Sequence, residues 1–265
     1  MDSEKTGLKI AISGKGGVGK STLAAALALL LTQDGSRVLA LDADPDANLG
    51  SALGMTAEQQ QAIIPIAKRA ALIEERTGAR VKQYGQMFKL NPDVADIADT
   101  CGYTINGVSL IVLGAIESGG SGCACPESVL IKSLVSDLVL NSDDVLIMDM
   151  EAGVEHLGRA TARGVDILLI VVEPGQRSIE STRRIIAMAQ DIGITKLSLV
   201  ANKVTSESDK EFIRTAFKDQ TIIGFIPYTE ALRGADRSGK TVLDNADGWL
   251  MECFMGIIER IKQYN

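Results

Sequence analysis

The octet Gly14-Lys15-Gly16-Gly17-Val18-Gly19-Lys20-Ser21 constrains this chain more than any other stretch of it. It fits the template G-x-x-x-x-G-K-[ST], in which a glycine-rich loop turns its backbone N–H groups onto phosphates. The flanks agree with that reading. Residues 8–13 (LKIAIS) make a short apolar run suited to a buried strand, and residues 21–33 make an apolar helix that ends near Gly35. Strand, glycine loop and helix N-terminus in that order bring unpaired N–H groups and the positive end of a helix dipole to one point. Four fixed positions arise by chance in roughly one chain in a hundred of this length, before strand and helix are required. A ligand-free glycine turn is therefore the poorer reading.

The rest of the chain repeats the alternation that the loop begins. Short β-rich apolar runs at residues 10–13, 37–41, 110–113, 145–148, 167–172, 197–201 and 222–226 are separated by stretches long enough for a crossover helix. Continuous runs such as DILLIVV imply burial on both faces, as in a parallel sheet. The expected fold class is α/β, a doubly wound and mostly parallel sheet with helices on both faces. Residues 54–108 depart from the pattern. Thr56-Ala57-Glu58-Gln59 reads as a capping box that opens a helix toward Gly78, with Pro65 a kink or break. Asn106-Gly107 between short apolar pieces reads as a hairpin turn. This stretch is expected to be an insertion at the sheet's edge, so residues 1–265 form one domain. The C-terminal stretch 249–264 carries Leu250, Phe254, Ile257, Ile258 and Ile261 at helical spacing and reads as a docking helix.

Composition narrows the partners. A net charge of −7 and 4% aromatic residues do not favour nucleic acid. The longest apolar run, residues 23–31, is too short to span a bilayer, so no membrane is expected. The polar N-terminus does not resemble a signal peptide, and a cytoplasmic location follows. In that reducing compartment four cysteines argue for metal or redox chemistry, or for plain burial, rather than disulfides.

Ligands of an open α/β sheet bind beyond the carboxyl ends of its strands. The expected nucleotide contacts are therefore Gly14, Lys15, Gly16, Gly17, Val18, Gly19, Lys20, Ser21 and Thr22, with Asn202, Lys203, Pro227 and Tyr228 at later strand ends. Lys20 suits the β- and γ-phosphates, and Ser21, Asp42 and Asp149 suit Mg²⁺. Within Asp42-Ala43-Asp44-Pro45-Asp46, Asp44 is the candidate for orienting the attacking water, because Asp42 lies nearer the sheet. A solvated acidic turn is the alternative. Asn202-Lys203 is followed by Thr205 where guanine readers carry aspartate, so ATP is favoured over GTP, with the asparagine amide facing adenine.

GKGGVGKS, DADPDAN and IMDMEAGVEH together resemble the deviant-Walker ATPase superfamily, which includes nitrogenase iron protein and the bacterial division and partition ATPases. The resemblance covers nearly the whole chain. It implies a nucleotide-dependent homodimer with two sandwiched nucleotides, in which Lys15 of each subunit reaches its partner's phosphates. It also implies that residues 42–48 and 149–156 sense the γ-phosphate. Gly122-Cys123-Ala124-Cys125-Pro126-Glu127, with DMEAGVEHLGRAT and NKV, resembles more narrowly the nickel-insertion ATPases of carbon monoxide dehydrogenase and acetyl-CoA synthase, the CooC/AcsF group. The client implied is one of those nickel enzymes.

One subunit offers only two thiolates at Cys123 and Cys125, too few for a closed site. A two-fold dimer would supply four. Four thiolates suit Zn²⁺ tetrahedrally or Ni²⁺ in a square plane, and the choice of Ni²⁺ rests on the resemblance. Two packed or turn cysteines are the plain alternative. Cys101 and Cys253 read as small buried hydrophobes. His156, the single histidine, is open between coupling and packing, and Glu151 and Glu155 between switch contacts and solvated carboxylates. Two other functions compete: a partition or division-site positioning ATPase, and an iron–sulfur carrier or reductase.

Overall fold

The computed structural model describes residues 7–81, 83, 85–115, 125–154, 156–232, 234 and 239–263. Eight strands form one sheet: β1 (Lys9–Gly14), β2 (Val38–Ala43), β3 (Tyr103–Ile105), β4 (Val108–Val112), β5 (Val145–Met150), β6 (Ile167–Val172), β7 (Leu197–Val204) and β8 (Ile222–Pro227). Their order is β3-β4-β2-β5-β1-β6-β7-β8. Every neighbouring pair is parallel except β3 with β4. The strand that feeds the glycine loop therefore sits inside the sheet, between β5 and β6, where its position is held from both sides.

Alternation decides which side chains go to which face. In β6, Leu168, Ile170 and Val172 pack with one core, and Ile167, Leu169 and Val171 with the other. The first core lies under α4 (Ala70–Thr77), α6 (Pro126–Asn141), the short α7 (Arg159–Ala162), α8 (Gln176–Asp191) and α9 (Glu207–Ala216). The second lies under α1 (Lys20–Gln33), α2 (Leu49–Ala52) and α10 (Gly248–Lys262). Helix α1 is buried continuously from Leu23 to Leu31, which its sequence allows because those nine residues are all apolar. The docking helix read from the sequence is α10, and Leu250, Phe254, Ile257, Ile258 and Ile261 are its buried residues. Gly224 of β8 admits it closely, since a Cβ there would stand 2.4 Å from Ile257.

The stretch that departs from the strand–helix alternation lies between β2 and β4. Thr56 accepts from the Gln59 N–H while the Gln59 side chain takes the Thr56 N–H, which caps α3 (Ala57–Ala62). The helix stops before Pro65, a 3₁₀ turn (Ile66–Lys68) follows, and α4 ends at Gly78 in a left-handed cap. After α5 (Ile97–Cys101), the Asn106-Gly107 turn joins β3 to β4. Both turn residues have positive φ, 47° and 83°, the geometry of a tight antiparallel hairpin. The sheet thus ends on this side in its antiparallel strand. Among the described residues, no helix is long and apolar enough to cross a membrane.

Candidate nucleotide site

Parallel strands deliver their C-terminal ends to one side of the sheet, and the residues singled out by the sequence meet there. Gly14 has φ 152°, and a Cβ would stand 2.5 Å from the Val171 carbonyl oxygen of β6, so the chain leaves the sheet through a position that excludes a side chain. Gly19 caps α1 at φ 98° with no side-chain cap bond. The first-turn N–H groups of a helix begun in this way are available to an anion.

A cleft of about 390 Å³ opens above the loop. Of the expected contacts, Gly16, Gly17, Gly19, Lys20, Ser21, Thr22, Asn202, Lys203, Pro227 and Tyr228 line it. Gly14 and Val18 are buried beneath, and Lys15 stands to the side, 3.9 Å from Glu173 Oε1. The sequence reading missed part of the wall: Ser51, Ala52, Leu232, Lys240 and Val242. Their only common signal is spatial. The Val242 N–H donates to the Ala52 carbonyl at 3.2 Å, joining two segments far apart in the chain.

Asn202 is held against the loop. Its Nδ2 donates to the Val18 carbonyl at 2.7 Å, its Oδ1 accepts from the Lys203 N–H at 2.8 Å, and the side chain is buried. These two bonds clamp the β7 end against the loop. Lys203 extends the clamp. Its backbone is left-handed at φ 57°, and its Nζ reaches the Gly17 carbonyl and, at 3.2 Å, Glu173 Oε2. Two adjacent side chains thus hold two adjacent loop carbonyls.

The three carboxylates have distinct surroundings. Asp42 and Asp149 are register partners on β2 and β5, and both are fully buried. Asp42 accepts from the N–H groups of Leu49 at 2.9 Å and Asp44 at 3.3 Å, so it shapes the loop after β2. Burial first, and then the charge of Asp149, push its pKa up to about 8, against those two N–H groups. Asp149 has no hydrogen-bond partner among the described residues for either oxygen. Burial raises its pKa to about 6, opposed by the nearby Ser21 hydroxyl and the Lys20 ammonium. A buried carboxylate with open acceptor positions beside a hydroxyl is a hard-oxygen donor set, and it fits Mg²⁺. Asp44 is less buried and lies 3.4 Å from Lys20 Nζ.

Behind Asp149, the Ser13 hydroxyl lies 3.0 Å from the Glu151 carbonyl and 2.8 Å from the Gly153 carbonyl, tying that loop to β1. His156 Nε2 is 4.0 Å from Glu151 Oε1. Glu155 lies outside the described residues, as does Cys123. Cys125 caps α6 and is half-buried. Burial pushes its thiol pKa up, and Glu127 adds to the effect against the Ser128 N–H. Cys101 joins the core, whereas Cys253 on α10 is half-buried. Among the described residues, no three His, Cys, Asp or Glu side chains are grouped to hold a metal.

A family model for the CobQ/CobB/MinD/ParA nucleotide-binding domain matches residues 9–242. The chain belongs to that family. As a CobQ/CobB/MinD/ParA-family protein it is an ATPase. It is 43% identical over 237 residues to the carbon monoxide dehydrogenase accessory protein CooC of Rhodospirillum rubrum, covering 89% of this chain and 90% of that protein. It is 42% identical over 259 residues to an uncharacterized ATP-binding protein of Methanocaldococcus jannaschii, covering 96% and 99%. Among solved structures it resembles a ParA family ATPase from Chlorobium tepidum, with TM-score 0.69, 22% identity and coverage of 98% and 100%. It also resembles the cell division protein MinD of Aquifex aeolicus, with TM-score 0.67, 23% identity and coverage of 96% of each chain. At those identities the structural likeness speaks for the fold alone.

Proposed function

We propose that this ATPase is a nickel-insertion accessory protein whose client is carbon monoxide dehydrogenase or acetyl-CoA synthase. The observation that carries the reading is the 43% identity with CooC along nine-tenths of both chains. In the proposed cycle ATP and Mg²⁺ bind in the cleft, two subunits close around two nucleotides, and Lys15 of each reaches the other's phosphates. Closure alters the spacing of two Cys123/Cys125 pairs that together hold one metal ion as cargo. Hydrolysis reopens the dimer and commits transfer to the client. Cys125 suits the part, since it sits half-buried at the start of α6. Soft thiolates take Ni²⁺ or Zn²⁺, and binding them displaces protons.

The test is anaerobic titration with Ni²⁺ or Zn²⁺, read by native mass spectrometry with and without ATP. The expected result is one ion per dimer, lost when Cys123 and Cys125 are both changed to Ser while ATP binding survives. A full metal complement in the double-Ser protein, or one tightly held ion per isolated monomer, overturns the bridging site.

A further inference from the structure

Two cations converge on Glu173. It follows β6, and its N–H donates to the Ser178 hydroxyl at 3.0 Å at the start of α8, which fixes its backbone. Each carboxylate oxygen meets a different lysine. Oε1 lies 3.9 Å from Lys15 Nζ, and Oε2 lies 3.2 Å from Lys203 Nζ. Lys203 is itself anchored to the Gly17 carbonyl and to a left-handed backbone, so the carboxylate is presented to Lys15 from a fixed support. Lys15 and Glu173 are 37% and 27% exposed, open enough for the pair to part and for solvent to weaken it.

We propose that Glu173 is a positioning residue for Lys15: its carboxylate retains the lysine beside its own subunit's loop, and closing the nucleotide-bound dimer exchanges that carboxylate for the partner's phosphates. The proposal rests on the sandwich-dimer reading above. Physically it is a competition between two anions for one ammonium. The carboxylate is present in every state of the subunit, and the phosphates are within reach only in the closed dimer. The pair therefore sets a threshold for closure without touching substrate. Two such pairs open per dimer. Each is a partly exposed ion pair whose loss changes an equilibrium by a factor of about two, so removing both shifts closure by about fourfold.

The experiment is sedimentation velocity over a range of protein concentrations, with Mg²⁺ and a non-hydrolysable ATP analogue. Wild type, Glu173→Gln, Glu173→Asp, Lys15→Ala and the Lys15→Ala/Glu173→Gln double variant are compared. Glu173→Gln is expected to reach half-dimerisation at about fourfold lower protein concentration than wild type. Glu173→Asp, whose shorter side chain retreats from Lys15, should shift the same way by less. The Gln change should have no effect once Lys15 is Ala, which a merely structural role for Glu173 does not predict. Equal or weaker dimerisation of Glu173→Gln and Glu173→Asp, or an equal gain in the Lys15→Ala background, overturns the proposal. If Glu173→Gln does not fold, the sign of the Glu173→Asp shift decides. Wild type and all variants remaining monomeric with the analogue overturns the sandwich dimer as well. Wild type dimerising without any Glu173 effect overturns the proposal alone.

Discussion

Lys20 Nζ lies 3.4 Å from Asp44 Oδ2, so the lysine assigned to the phosphates is paired with the carboxylate assigned to the attacking water. The side chains are 6% and 16% exposed, enough burial for the pair to matter and enough access for a nucleotide to part it. A phosphate that takes the ammonium should release the carboxylate in the same step.

Asp44→Asn should therefore separate binding from hydrolysis. With its competitor gone, Lys20 is free for phosphate, and nucleotide affinity should rise by about fivefold, the worth of about 1 kcal/mol. Hydrolysis should fall on the order of a hundredfold if the carboxylate orients water. Asp46→Asn, which also lines the cleft but makes no ion pair with Lys20, controls for the loss of charge. Calorimetry and steady-state phosphate release read the two effects. If Asp44→Asn hydrolyses normally and Asp42→Asn does not, the role passes to Asp42.

The buried pair predicts an inverted pH dependence for the nucleotide-free protein. Unfolded aspartates lose their protons near pH 4. Folded Asp149 and Asp42 keep theirs to about 6 and about 8. Between those limits the native state binds more protons than the unfolded state, so this contribution to stability is full below about pH 4 and lost as pH climbs to about 8. Asp42→Asn, which mimics the protonated form, should raise Tm at pH 8 and flatten the upper part of the curve. Mg²⁺-nucleotide, which needs the carboxylates charged, should bind more tightly as pH rises through the same window and release protons on binding. Melting curves at several pH values and calorimetry in buffers of different ionisation enthalpy check both. A Tm contribution from Asp42 that grows toward pH 8 would falsify the assignment.

The Asn202 clamp makes a sharp steric prediction. A Cβ on Gly19 would stand 2.2 Å from Asn202 Nδ2, at a φ that disfavours side chains. Gly19→Ala should therefore abolish tight nucleotide binding. Asn202→Ala leaves the Val18 carbonyl without its donor and should cost about 1–3 kcal/mol of stability along with weaker nucleotide binding. Unchanged melting and affinity in Asn202→Ala would show that the clamp is dispensable.

At the proposed metal site the thiol of Cys125 is held protonated by burial and by Glu127. Metal must displace that proton, so its affinity should fall about tenfold for each unit by which pH is lowered, per thiol proton displaced. Glu127→Gln should tighten binding at neutral pH. Competition titrations against a chromophoric chelator at pH 6.5, 7.5 and 8.5 measure the slope.

Much of this was legible in the sequence because the signals are local. The glycine octet, the capping box at Thr56, the break at Pro65 and the Asn106-Gly107 turn each depend on a few adjacent residues, and each stands where it was expected. The spacing of Leu250, Phe254 and Ile257 marked the face of α10 in the same way. What stayed hidden was set by neighbours across the sheet. The bond from Asn202 to Val18, 184 positions away, is one that its sequence context does not announce. Glu173 was one more residue after a strand until Lys15 and Lys203 were placed on its two oxygens. Lys240 and Val242 reach the cleft through a backbone contact with Ala52 that no periodicity announces.

Helix α1 is enclosed along most of its length, with Leu23 through Leu31 all packed away from solvent. A helix buried on every side cannot rotate or slide without opening voids in both the sheet face and the α10 contact. A nucleotide-dependent motion is therefore expected in what surrounds its first turn, the segments after β2 and β5. In hydrogen-exchange terms, the amides of α1 from Leu23 to Leu31 should report the opening of the whole fold whichever nucleotide is bound, while residues 44–48 and 151–154 are expected to change their protection with each step of the cycle.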